Sequence, residues 1–251
     1  DHAGLSNERI GEEAFLDQCE TAWREREEMM LYELERFDEG LFYCLFDTPD
    51  RVQHMFWRFN ETDHPANRGR PARPDFASVI EDQYRRCDAI VGKAMDYADD
   101  RTLVIALSDH GFNSFRRGLH INSWLHEQGL LSLRPGLEPG EAAGDMLRAV
   151  DWSKTKAYAL GLGGIYLNLS GREGQGIVGP DEAEQLKATI ANGLTALRDP
   201  ADGVSAVRGV STREDVYQGP FAPEAPDLIV RFAAGYRVSW ESSMGGVAEG
   251  L

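Results

Sequence analysis

Apolar residues recur at three- and four-residue steps through residues 12–37, at Phe15, Leu16, Cys19, Trp23, Met30, Leu34 and Phe37, with charges between them. That period predicts a long amphipathic helix, ended by Gly40. The pattern then changes. Residues 41–46 are continuously apolar, as expected for a strand buried on both faces of a parallel sheet. They run into Asp47-Thr48-Pro49-Asp50. Asp47 or Thr48 can cap a helix over 50–59, with Pro49 in its first turn. Residues 60–74 are polar and rich in Arg and Pro, a surface loop. A second amphipathic helix is predicted over 76–97. A second apolar strand follows over 102–107 and ends in Ser108-Asp109-His110-Gly111.

The order helix, apolar strand, polar strand end therefore occurs twice. It predicts an α/β fold with a mostly parallel sheet sandwiched by helices. In such sheets ligands bind at the carboxyl ends of the strands, where both polar clusters fall. The rest is less regular. A short helix is expected over 121–128 and a loop over 135–144. Strands are expected over 156–160 and 165–169, around a Gly-rich turn. A Gly-rich loop over 171–179 precedes a helix starting at Pro180 and reaching 197. Two more strands are expected over 204–210 and 228–232. There is no internal repeat and no low-complexity linker. The expectation is a single domain over 1–251, with an excursion at about 130–217.

Charge narrows the chemistry. The chain has 251 residues, 26 Lys+Arg and 42 Asp+Glu, for a formal net charge of −16. An acidic surface of this kind argues against nucleic-acid partners and against anionic membranes. No apolar stretch is long enough to span a bilayer. Cys19, Cys44 and Cys87 are scattered and form no CxxC pair. They read as reduced thiols, which suits a cytoplasmic setting. The first residue is Asp1 rather than Met, which is compatible with a trimmed start. A homo-oligomeric state stays open.

Two short clusters carry the chemistry. Asp50 and His54 lie four apart on a predicted helix and share a face. Asp109 and His110 are adjacent at a strand end, beside Gly111. Each pair joins a hard oxygen ligand to an imidazole. Two such pairs at one sheet edge suit two divalent ions about 4 Å apart, as in two-metal phosphoryl-transfer sites. Arg116, Arg117, His120 and Asn122 follow and are candidates for holding a phosphate group. Thr48 reads as a cap and Ser108 as a strand-end hydrogen bonder. The run 171–176 lacks the Lys-Ser/Thr of a phosphate-binding P-loop.

The stretches FDTPDRVQHMFW, LSDHGF and RRGLHINSWLHEQGLL resemble the alkaline phosphatase superfamily, in its type I phosphodiesterase/nucleotide pyrophosphatase-like branch. AYALGLGGIYLNLSGREGQGIV and PDLIVRFAAGYRVSWESSMGG resemble it too, so the similarity covers most of the chain. The resemblance implies an alkaline phosphatase-like core that is incomplete at both ends. It implies that Asp50 and His54 ligate one metal and Asp109 and His110 the other, with zinc or manganese as the usual ions. The implied activity is hydrolysis of a small-molecule phosphate mono- or diester through a phospho-enzyme. A phosphomutase, or a binding module that keeps the fold, is the alternative. The family pattern also has an Asp ligand and a Thr/Ser nucleophile before the region matched by Asp1, and a further His beyond Leu251. The chain is therefore expected to be a fragment that lacks the nucleophile and does not turn over by itself.

Overall fold

The computed structural model describes residues 2–140, 146–201 and 203–250. The chain forms two compact units, Asp1–Phe112 and Asn113–Leu251. The end of the expected 135–144 loop lies outside the described residues. Among the described residues no helix is long and apolar enough to cross a membrane.

The first unit is helical. A short helix α1 (His2–Ser6) precedes α2 (Glu12–Leu34), α3 (Thr48–Phe56) and α4 (Val79–Met95), with 3-10 turns over Trp57–Asn60, Pro65–Asn67 and Pro74–Phe76. One stripe of α2 is buried, through Phe15, Cys19, Trp23 and Met30. Its helical spacing lets the two ends of the stripe face different partners. Phe15 and Cys19 pack with Val52 and Phe56 of α3 and with Phe76 and Ile80. Trp23 and Met30 pack with Ile90 of α4. Charges tie α2 to α4 beside these contacts. Arg86 bonds Glu20 at 2.5 Å and lies over the Trp23 ring, and Lys93 pairs with Glu27.

The two apolar segments expected to be central strands depart from expectation. Neither 41–46 nor 102–107 belongs to any strand of the described residues. In the first, Phe42, Cys44 and Phe46 pack against the Trp23 cluster, while Leu41 is 91% exposed. In the second, all six residues are exposed, Leu103 at 81% and Leu107 at 77%. A strand requires a neighbour to share its hydrogen bonds, and an apolar run does not itself supply one. The large parallel sheet is thus corrected.

The second unit contains the sheets. Its elements in chain order are β1 (Phe115–Leu119), α5 (Ile121–Glu127), β2 (Ala157–Leu160), β3 (Gly164–Leu167), α6 (Pro180–Ala196), β4 (Val207–Thr212), α7 (Arg213–Val216), β5 (Leu228–Phe232), β6 (Gly235–Val238) and α8 (Trp240–Ser243). Four strands form an antiparallel sheet in the order β2-β3-β5-β4. β1 and β6 form a separate parallel pair. Its polar sequence, Phe-Arg-Arg-Gly-Leu in β1, gave no strand signal, yet it holds the described parallel pairing.

The antiparallel sheet buries one face by period-two alternation, through Ala157, Ala159, Ile165, Leu167, Leu228 and Val230. Across it lies the apolar side of α6, with Leu186, Ile190 and Leu194. Trp124 of α5 reaches α6 where Gly193 has no side chain. A Cβ there would stand 2.6 Å from the indole. Beneath the sheet Asp227, 1% exposed, accepts from the Leu167 N–H at 2.7 Å and from Arg172 at 2.6 and 3.0 Å. It also accepts from Arg213 at 3.1 Å. A buried carboxylate is tolerable because its lone pairs are filled in this way.

Candidate metal centre

Helix α3 positions the first pair. Asp47 occupies its N-cap position, and Pro49 sits in its first turn. The Asp47 carboxylate does not cap. It binds Arg51 at 2.7 and 2.9 Å one turn on. Val52 and Phe56 bury the inner face of α3, so Asp50 and His54 stand on the outer one. Their side chains meet, with His54 Nε2 3.4 Å from Asp50 Oδ1.

The segment after residue 107 brings the second pair to the same place. His110 Nε2 lies 3.8 Å from Asp50 Oδ1 and 3.4 Å from Asp109 Oδ2. Asp50 thus stands between the two imidazoles. His110 Nδ1 lies 3.1 Å from the Gly111 carbonyl oxygen. A carbonyl only accepts, so Nδ1 is the donor in that contact, and Nε2 is the nitrogen turned toward the carboxylates. Phe112 walls the cluster, its ring centroid 4.8 Å from His54 and 5.6 Å from His110. Sequence reasoning passed over Phe112, although it stands within LSDHGF. All four polar side chains remain open to solvent, Asp109 most of all.

The donor set suits a first-row divalent ion, with two carboxylates and two imidazoles. The fit is pairwise. Among the described residues no group of three or more His, Cys, Asp or Glu side chains is gathered closely enough to hold one ion. The two hydroxyls beside the cluster are engaged or enclosed. Ser108 Oγ donates to the His110 carbonyl at 2.5 Å, and Thr48 is buried.

The candidate phosphate residues lie in the second unit and divide by what they touch. Asn122 is fully buried. Its amide donates to the Ala159 carbonyl at 3.0 Å and accepts from the Ala159 N–H at 2.7 Å, which locks α5 to β2. Arg117 Nε binds Asp199 at 3.0 Å. Asp199 is held below its ordinary carboxylate value, chiefly by the Ala201 N–H, then by the Tyr236 hydroxyl and Arg117. Arg116 lies along Gly235 of β6. His120, half-buried, follows the end of β1.

The model of the type I phosphodiesterase/nucleotide pyrophosphatase family matches residues 7–249. The chain belongs to that family. Its place is therefore in the alkaline phosphatase superfamily, among hydrolases of phosphoric esters. No curated protein and no solved structure matches the chain.

Proposed function

We propose that this chain carries the metal-binding half of a metal-dependent phosphodiesterase or phosphomonoesterase site. Asp50 and His54 hold one divalent ion, and Asp109 and His110 hold a second. One observation carries the reading. Two clusters 55 residues or more apart in sequence put Asp50 within 4 Å of both imidazoles, and the Nδ1–carbonyl contact leaves His110 Nε2 facing them. Zinc or manganese bound there would polarise phosphoryl oxygens and neutralise their developing charge. The chain's own residues orient and exclude. Asp50 sets the spacing between the two imidazoles. The Gly111 carbonyl holds His110 Nδ1, which turns Nε2 toward Asp50 and Asp109. Phe112 keeps water from one side of both rings.

Two protein ligands per ion bind weakly compared with the three or four of a closed site. The test is therefore metal binding itself. Calorimetric titration with Zn2+ and Mn2+ should show weak, saturable uptake by the wild-type chain. Asp109→Ala and His54→Ala should each weaken it by at least about tenfold, given the loss of a direct ligand where even supporting contacts are worth that much. Uptake that neither substitution changes would remove the assignment.

A further inference from the structure

Five buried side-chain polar atoms among the described residues have no hydrogen-bond partner, and only two of them are nitrogens: His120 Nδ1 and Arg237 Nε. Both belong to the second unit, at one end of the same strand pair. β1 and β6 run parallel, with Gly118 opposite Arg237 and Leu119 opposite Val238. The His120 Nδ1 lies 3.9 Å from Glu241, the residue after the Trp240 that stacks on Arg237. His120 follows β1 directly as the N-cap of α5, at the carboxyl ends of both strands. That is the end at which parallel strands present ligand sites.

Arg237 is held in an unusual way. Its guanidinium carbon lies 4.3 Å from the Phe115 ring centroid and 4.3 Å from that of Trp240. The two rings position the cation without neutralising it. No carboxylate among the described residues pairs with it. Burial alone pushes the guanidinium below its ordinary value, with no acidic neighbour to offset the cost. Stacked rings take up the faces of the group and leave its N–H bonds, which lie in its plane, for an acceptor. His120 is similarly placed. The nearest carboxylate oxygen, on Glu241, stands 3.9 Å from Nδ1, beyond hydrogen-bond reach.

A stacked, unpaired guanidinium offers only donors, so it calls for a ligand that accepts. We infer that Arg237 and His120 form an oxyanion site at the carboxyl end of the β1–β6 pair, which takes the phosphate group of a small phosphate ester. Phosphate fits because a guanidinium edge matches two of its oxygens and a further oxygen remains for the imidazole. Trp240, 63% exposed, forms an open wall and reports on the site. The inference rests on the second unit alone and stands or falls apart from the metal reading.

The probe is inorganic phosphate, titrated into 15N-labelled chain at constant ionic strength with chloride as the reference salt. The Trp240 indole N–H signal is assigned by its loss in Trp240→Phe. It should shift saturably with phosphate. Arg237→Gln should weaken that binding by at least about tenfold, as expected for loss of charge-assisted bonds. Arg237→Lys, which keeps the charge but not the fork, should fall between. Asp109→Ala should leave the titration unchanged. A wild-type signal that does not saturate, or equal affinity in Arg237→Gln, overturns the site. Loss of binding in Asp109→Ala overturns it as well, because the phosphate would then be reading the first unit. If Arg237→Gln disturbs the other four indole signals, His120→Ala serves instead. A several-fold loss supports the site, and no change removes it.

Discussion

The two units bury their apolar residues to different degrees. In the second, one continuous cluster joins α5, the antiparallel sheet and α6, with Ile165, Leu167, Ile190, Leu194 and Leu228 fully enclosed. In the first, two small clusters sit between helices, the apolar stretch 41–46 is covered only at alternate residues, and 102–107 faces solvent throughout. Among the described residues the unit with the stronger strand signal forms no strand, and the polar Phe-Arg-Arg-Gly-Leu forms one. Apolar content therefore predicts which residues want cover, and hydrogen-bonding neighbours decide which become strands. The candidate metal ligands belong to the less enclosed unit, on α3 and beyond an uncovered segment.

The largest effect should come from Asp227 in the second unit. Asp227→Asn leaves Arg172 and Arg213 without their shared carboxylate, and removing one partner from a buried ionic network costs about 3–5 kcal/mol. Urea unfolding at pH 7 should show that loss. A change below about 1 kcal/mol would mean that water replaces the carboxylate and that the unit is more open than its burial indicates.

Next in size is a matched pair of leucines. Leu228→Ala in the second unit should cost about 2–5 kcal/mol through lost burial and the cavity it leaves. Leu103→Ala in the first should cost less than about 0.5 kcal/mol, because that side chain is exposed. Equal losses would break the comparison, since Leu103 would then be covered in solution. A smaller relative of the first substitution, Gly193→Ala, should also destabilise, because its Cβ meets the Trp124 ring.

These contrasts mark what was legible in the sequence. Helical stripes were read well. α2 and α4 lie inside their expected ranges and end two or three residues early, and α6 ends one residue short of expectation. The strand β5 coincides with 228–232, because its alternation is flanked by Pro226-Asp227 and by small residues. The i,i+4 rule placed Asp50 beside His54. The meeting of His110 with Asp50 was expected from two polar clusters at one sheet edge, although the strands meant to carry them do not form among the described residues. The β1–β6 pair was missed. Its register is a long-range fact, and with it went Arg237, which has no local motif. Asn122 and Arg117 show what spacing does not reveal: the Asn122 amide is taken up by Ala159, and one nitrogen of Arg117 by Asp199.

Acid should separate the units next. Asp199 has a depressed pKa in the folded second unit, so its contribution is present above the unfolded value of about 3.9 and is lost as pH falls through the lower folded value. The urea midpoint of the wild type should therefore exceed that of Asp199→Asn at pH 7, and the gap should close below about pH 4. In the first unit Glu27 behaves with the same sign, held down mainly by Lys93, but the pair is more solvent-exposed. Glu27→Gln should show a smaller version of the same closing gap. A gap that stays constant with pH in both variants would mean that shape, and not ionisation, sets their contribution.

The smallest effect tests whether the metal ligands depend on the helix start beside them. Arg51 binds Asp47 through two nitrogens, one turn apart on α3 and largely in solvent. Exposed i,i+4 pairs contribute about 0.3–0.5 kcal/mol, so Arg51→Ala should shift stability by no more than that. Arg51 follows Asp50 directly, and adjacent helical positions point about 100° apart, so it does not share the face of Asp50 and His54. Zn2+ affinity should accordingly stay within about twofold of wild type. Asp50→Asn, which keeps the shape and removes the charge between the imidazoles, should weaken it far more. If Arg51→Ala weakened zinc as much as Asp50→Asn, the helix start would set the ligand geometry. The buried contacts of Val52 and Phe56 would then not suffice to aim the outer face of α3.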